Sequence, residues 1–292
     1  MPRIPNQYLK CAVYLYKSKE AAEKSEEYGG TGCLVGYKSA DGYVHVKYVV
    51  TNRHVIEDGY TVIRLNTLAG PCDIFETARQ SWIFHPEDDL AACAVSPNYL
   101  YHAFSVISTD LFVDKEKITK HNLGVGDEVF MVGRLVGHQG TLRNIPVARF
   151  GAIAMMPLEP LRNKYGNLRK HYLVEIRSVS GSSGSPVFIY DLPYAPEGVR
   201  NEQFGQFFLG VDCGHIPNEE QLLRSGIAVV IPASSVMELL NQPDLKDVRE
   251  NKEKESAEYA LKVRIIVPDS STEKITKQDF EEALKKVSRK KI

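Results

Sequence analysis

Three short segments of this chain carry side chains that together could transfer an acyl group: Thr51-Asn52-Arg53-His54, Asp88-Asp89-Leu90-Ala91 and Gly181-Ser182-Ser183-Gly184-Ser185-Pro186. A serine hydroxyl is a weak nucleophile until a neutral imidazole can take its proton. The imidazole in turn needs a carboxylate to fix its tautomer and stabilise its charged form. Here the order along the chain is His, Asp, Ser. An α/β-hydrolase runs Ser, Asp, His and carries its serine in G-x-S-x-G. Read from Gly181 through Ser183, the last position is Ser185 and not glycine, which excludes that class.

The elements that must position these groups read as short strands. Apolar stretches rich in valine, tyrosine and phenylalanine recur between turn signals, as in Ala12–Tyr16, Gly32–Gly36 and Val44–Val50. The same texture returns in Asp127–Gly133, Ile145–Phe150, His171–Ile176, Phe207–Val211 and Ile227–Ile231. Their length and their β-branched and aromatic content predict strands, and many short strands predict barrels or a sandwich. A polar stretch from Asp114 to Asn122 separates the two groups, which places one barrel near residues 8–110 and a second near 123–232. His54 and Asp89 then belong to the first and Ser183 to the second, with the site in the cleft between them. Val187-Phe188-Ile189-Tyr190 follows the Gly/Ser run at once and reads as a buried strand, which a flexible linker would not explain.

After Pro232, the stretch Ser234–Leu240 reads as a short helix with a serine available to cap it. Residues 243–258 are dense in mixed charge, Tyr259–Val267 reads as a strand and Thr276–Lys290 as a helix. Thr276 with Asp279 resembles a capping box, and Phe280, Ala283, Leu284 and Val287 form an apolar stripe that must be buried on the chain's own surface or on a partner.

Composition narrows the function classes. With 292 residues, 43% hydrophobic and 25% charged, the chain reads as globular, with one extended or two compact cores. A net charge of −1 offers no basic field for nucleic acid and no polybasic segment for an anionic membrane, so neither partner is expected. Met1–Gln7 lacks the apolar core of a signal peptide and no later run is long and apolar enough to span a bilayer, so a cytoplasmic location is expected. Cys11, Cys33, Cys72, Cys93 and Cys213 are odd in number, spread out and free of C-x-x-C spacing, which predicts reduced thiols. His45, His85, His102, His121, His138, His171 and His215 have no paired metal-ligand spacing, so no metal and no cofactor is expected.

Taken with Gly30-Thr31-Gly32-Cys33-Leu34-Val35 and Tyr48–Val55, the three segments resemble the trypsin-like serine peptidases, nearest to their bacterial HtrA-type and glutamyl-endopeptidase-like branches. The resemblance covers about residues 28–240 and implies a mainly β, chymotrypsin-like fold of two six-stranded antiparallel barrels. A short helix would follow the second barrel, closing a protease domain over 8–242, with a small α/β appendage in a charged extension over 243–292. It implies His54 as general base, Asp89 as the carboxylate that orients it, with Asp88 as the alternative, and Ser183 as nucleophile rather than Ser182 or Ser185. The backbone N–H groups of Gly181 and Ser183 are implied as an oxyanion hole, with glycines at 181 and 184 permitting the tight turn.

Two positions depart from the secreted trypsins. Residue 55 is valine, so Cys33 has no counterpart for their bridge beside the histidine. Ser182 stands where they place an aspartate that captures a newly cleaved amino terminus, so activation by such insertion is not expected.

The pocket for the substrate side chain is implied around Arg177, Val211, Asp212, Cys213, Gly214 and Ala228. The histidine that reads glutamate in the glutamyl endopeptidases falls on Asp212, whose carboxylate would favour a basic side chain unless Arg177 occupies it or it faces away. Val211–Gly214 are expected to offer an edge strand to the substrate backbone. The implied activity is that of a serine endopeptidase acting on protein or peptide, rising between pH roughly 6 and 8 as an ordinary histidine loses its proton. Two other readings stay open: a protease-fold binding module without turnover, and a protease recruited to substrate by a partner bound through 243–292.

Overall fold

The computed structural model describes residues 4–138, 140–178, 181–190, 206–214 and 226–266. The chain divides into two compact units, 1–251 and 252–292. Strands dominate the first unit and helices are few.

The first half of that unit holds β1 (Ala12–Tyr16), β2 (Tyr28–Lys38), β3 (Val44–Thr51), β4 (Val62–Leu65), β5 (Asp73–Glu76), β6 (Ile83–Phe84), β7 (Ala91–Val95) and β8 (Ile107–Ser108). They form one eight-stranded sheet in the order β5-β4-β1-β2-β3-β7-β6, with β8 parallel to β2. The second half holds β9 (Glu128–Gly133), β10 (Val147–Met155), β11 (Leu161–Arg162), β12 (Leu168–Arg169), β13 (Tyr172–Glu175), β14 (Pro186–Ile189), β15 (Phe208–Asp212) and β16 (Ile227–Pro232). Six of these close into a barrel, β10-β13-β16-β15-β14-β9, while β11 and β12 form a separate hairpin. The second half thus has the six barrel strands expected. The first has eight strands, and among the described residues their pairing leaves the ring open, since β6 at the end of the path is only two residues long.

Barrel strands that are buried on both faces read as unbroken apolar runs, because alternate side chains enter different cores. In β9 and β14, Val129, Met131, Val187 and Ile189 fill the interior of the second barrel. Phe130, Val132, Phe188 and Tyr190 point the other way, into a core shared with Tyr48, Val50 and Leu90 of the first half. Val13, Leu15, Val49 and Ile63 belong to a core of the first half alone. The two halves therefore meet across a continuous apolar core, and the site sits at its rim.

Among the described residues six α-helices punctuate the strands: α1 (Asn6–Leu9), α2 (Lys19–Lys24), α3 (Arg53–Glu57), α4 (Lys115–His121), α5 (Ala233–Leu240) and α6 (Pro243–Ile266). The polar stretch between the halves is α4, capped by the Asp114 carboxylate accepting from Lys117 N–H at 2.7 Å and ended by Asn122 in the left-handed region. α5 begins after Pro232 with no side-chain cap, which corrects the expected serine cap. Ser235 lies inside the helix, where its hydroxyl takes a bond from Arg169.

α6 also corrects an expectation, because Tyr259–Ile266 are helical and not a strand. The preceding turns carry acid–base pairs at helical spacing, Lys246 to Glu250 and Lys252 to Glu255, and once a helix has nucleated it propagates into good formers such as Ala260 and Leu261. The first turns of α6 belong to the first unit: Leu245 is in the shared core, and its carbonyl accepts from the Tyr48 hydroxyl at 3.0 Å. The expected helix over 276–290 lies outside the described residues. All five cysteines are free thiols, and among the described residues no helix is long and apolar enough to cross a membrane.

Candidate active site

Register brings the first two site residues together. Thr51 at the end of β3 pairs with Ala91 at the start of β7, so the residues just after one strand lie beside those just before the other. Three residues on, His54 sits in the first turn of α3, where backbone N–H groups have no intrahelical acceptor. Asp89 supplies one: its Oδ1 accepts from the His54 backbone N–H at 3.0 Å. Its Oδ2 lies 2.7 Å from His54 Nδ1. Asn52 locks the loop from behind, donating from Nδ2 to the Asp89 carbonyl at 2.9 Å. The carboxylate thus holds ring and backbone of one residue, leaving the imidazole no rotation about its tether without breaking a bond.

Burial alone would push the Asp89 carboxyl up. The hydrogen bond and charge of His54, the charge of Lys164 and the His54 backbone N–H outweigh it and hold the group below the ordinary aspartate value. A carboxylate facing Nδ1 is an acceptor only, so Nδ1 carries the proton and the lone pair sits on Nε2.

The second half contributes residues 181–185, which lead into β14 and are stitched to the first half by hydrogen bonds. Thr31 N–H donates to the Ser183 carbonyl at 2.8 Å and Thr31 Oγ1 donates to the Gly181 carbonyl at 3.0 Å. Thr51, three residues before His54, closes the link by donating to the Thr31 carbonyl at 2.7 Å. Gly184 has φ +87°, and a Cβ there would overlap the Thr31 carbonyl and the Thr51 hydroxyl, so no other residue fits. Gly30 stands between the Ser183 carbonyl and a Val55 methyl, each 2.7 Å from where its Cβ would be. Ser183 is half-buried. Among the described residues no hydrogen bond joins its hydroxyl to His54, and the N–H groups of Gly181 and Ser183 meet no intramolecular acceptor.

The fold now bears comparison with solved structures. The protease domain of MamO from Magnetospirillum magneticum, in its apo form, superposes with a TM-score of 0.51 at 15% identity, over 80% of this chain and 96% of that one. The active form of the Rv3671c protease from M. tuberculosis gives 0.50 at 19% identity, over 82% and 91%. This chain has the trypsin-like serine protease fold. No family model and no curated protein sequence matches it.

Within that trypsin-like fold the expected pocket residues fall into unlike places. Val211 and Ala228 are fully buried in the cores and paired on the sheet. The expected edge strand is absent at Val211 and Asp212, because β15 is hydrogen-bonded to β16 on one side and to β14 and the 184–185 backbone on the other. Of this segment, Cys213 and Gly214 keep partial exposure, and the Cβ position of Gly214 lies 3.9 Å from Ser183 Oγ.

Asp212 is wholly buried and internally bonded, accepting from Ser178 Oγ at 3.0 Å and from Gly214 N–H at 3.2 Å. Burial pushes its carboxyl up to about 7, against the opposing pull of those bonds and of Arg149. Arg177 is exposed and does not occupy it. Asp212 is therefore not a free carboxylate offered to a substrate.

Three supports of the site carry no local sequence signal. Arg134 is fully buried, its guanidinium stacked over the Tyr14 and Tyr16 rings at 4.3 and 4.6 Å. Arg149 bonds the Arg134 carbonyl at 3.1 Å and reaches Ser182 Oγ at 3.5 Å, filling from β10 the space beneath the turn. The β11–β12 hairpin lies against the Asp88-Asp89 loop. Each contact joins residues at least 15 positions apart, so only the folded chain displays it.

Proposed function

We propose that this chain is a serine endopeptidase. The observation that supports it most is the double grip of Asp89 on His54, made at a rim where the turn carrying Ser183 is sewn to Thr31 and Thr51. Asp89 fixes the tautomer in which His54 Nε2 accepts a proton. Ser183 Oγ gives up that proton as it attacks the peptide carbonyl, and the imidazolium then protonates the departing amine. The Ser183 hydroxyl and His54 tighten into hydrogen-bond contact with substrate bound, as apo sites commonly require. The N–H groups of Gly181 and Ser183 hold the oxyanion, where losing one such donor typically costs roughly 10² to 10³ in rate.

The substrate is a protein or peptide that meets the chain at the partly exposed Cys213 and Gly214, beside Ser183. Its side chain before the scissile bond is not read by Asp212, whose oxygens are already bonded. Five free thiols suit a reducing compartment such as the cytoplasm. The deciding experiment is labelling with a fluorophosphonate probe alongside hydrolysis of a peptide library. We expect labelling at Ser183 that vanishes in Ser183→Ala and His54→Ala, and unlabelled wild-type protein would leave a binding module as the better account.

A further inference from the structure

The hairpin formed by β11 and β12 is built to deliver a cation to the Asp89 carboxylate. Asn163 Oδ1 accepts from the backbone N–H groups of Tyr165 and Asn167, both at 3.0 Å, which shapes the tip. Asn163 and Asn167 each donate from Nδ2 to the Glu87 carbonyl, at 2.6 and 2.9 Å, tying the tip to the loop that carries Asp89. The Tyr165 hydroxyl lies 2.9 Å from Glu57 Oε2 and 3.3 Å from Asp89 Oδ1, and its ring stacks under Arg53 at 4.5 Å. Between these supports Lys164 Nζ stands 3.6 Å from Asp89 Oδ2, the oxygen that holds His54 Nδ1.

The other charged groups around the pair are compensated. On α3, Arg53 and Glu57 bond one another at 2.7 Å. On the loop, Asp88 is held by Arg169 and His171. From the end of β15, the Cys213 thiol, pushed up first by burial and then by Asp89, Asp212 and Asp88, adds no charge. Among the described residues Asp89 is the only carboxylate within salt-bridge reach of Lys164.

We propose that Lys164 is a positioning residue for the His54–Asp89 pair: its ammonium shares Asp89 Oδ2 with the imidazole and so couples electrostatically to the ring through that carboxylate. This rests on the endopeptidase reading for its catalytic meaning. The electrostatic coupling itself can be measured without turnover.

The test follows the His54 imidazole by NMR titration of histidine-labelled full-length protein, wild type against Lys164→Met and Lys164→Arg. Partial exposure of Lys164 screens the effect, so Lys164→Met should raise the midpoint by roughly 0.3 to 1 unit, and Lys164→Arg should restore it. In the pH profile, Lys164→Met should lose roughly threefold in kcat/KM near pH 6, keep KM, and approach the wild-type rate on the alkaline plateau. A midpoint unmoved in Lys164→Met overturns the proposal, as does an equal shift in Lys164→Arg, which would mark a packing role. A protein that fails to label at Ser183 removes the peptidase reading, while the imidazole titration still decides the coupling.

Discussion

Asp88 and Asp89 are adjacent, both are buried and each binds a histidine, yet the surroundings of the two pairs are opposite in kind. Asp89 reaches into the first half, to His54, whose side chain is 24% exposed. Asp88 reaches across to the second half, to His171, whose side chain is 3% exposed, at 2.8 Å, and to Arg169 Nε at 2.9 Å. Arg169 extends the network to Glu87 and Glu238, and Glu238 lies 3.2 Å from His85. Burial alone would push Asp88 up, but the His171 hydrogen bond and charge, with Ser235 and Arg169, hold it below the ordinary value. A histidine–carboxylate pair is thus not in itself a proton shuttle. It becomes one where the far imidazole nitrogen can meet a substrate, and elsewhere the same pair is a strut.

The comparison breaks if the two neighbours exchange behaviour. On the endopeptidase reading, His54→Ala should cost on the order of 10⁶ in kcat and Asp89→Asn about 10⁴, with both variants still folded. Asp88→Asn should do the reverse, keeping kcat within about tenfold while losing about 3 kcal/mol of stability in denaturant melts, because Arg169 and His171 are left facing an uncharged amide. Loss of turnover without loss of stability in Asp88→Asn would reverse the assignment.

Acid sharpens the contrast. Asp88 and Asp89 have lowered values, so their stabilisation is complete above the unfolded value of 3.8 and lost as pH falls through the folded values. Asp212 has the opposite sign: raised from 3.8 to about 7, it stays protonated in the fold while the unfolded chain ionises, so stability declines as pH climbs through that window. Asp212→Asn should gain on wild type across that interval by an amount on the order of 2–4 kcal/mol at most, read from unfolding midpoints at several pH values. The smallest effect is expected from truncation after Asn251, which retains Leu245 and should leave peptide hydrolysis within about twofold.

The strands and their division into two sets were legible because each barrel strand carries its own apolar run between turn residues. The Gly-x-Ser-Gly-Ser-Pro run was legible for a stereochemical reason: the Gly184 position excludes any side chain. Choosing between Asp88 and Asp89 was harder, since both neighbours are buried carboxylates and only the β3–β7 register determines which faces His54. The pocket side was misjudged at Val211 and Asp212 because a sequence shows that a strand exists but not how many partners it has. Tyr259–Ile266 misled through its β-branched content, which a helix already under way overrides. Arg134, Arg149 and Lys164 were invisible, since their contacts are made by chain segments remote in sequence.

The exposed helix at 115–121 is the sole described covalent link between a half that holds imidazole and carboxylate and a half that holds the hydroxyl. Severing the chain there would yield two pieces, each lacking part of the chemistry, that regain it only by re-forming the apolar seam between them. On the endopeptidase reading, such fragments fused to two other proteins would make a hydrolytic reporter of their association, silent until the seam is whole.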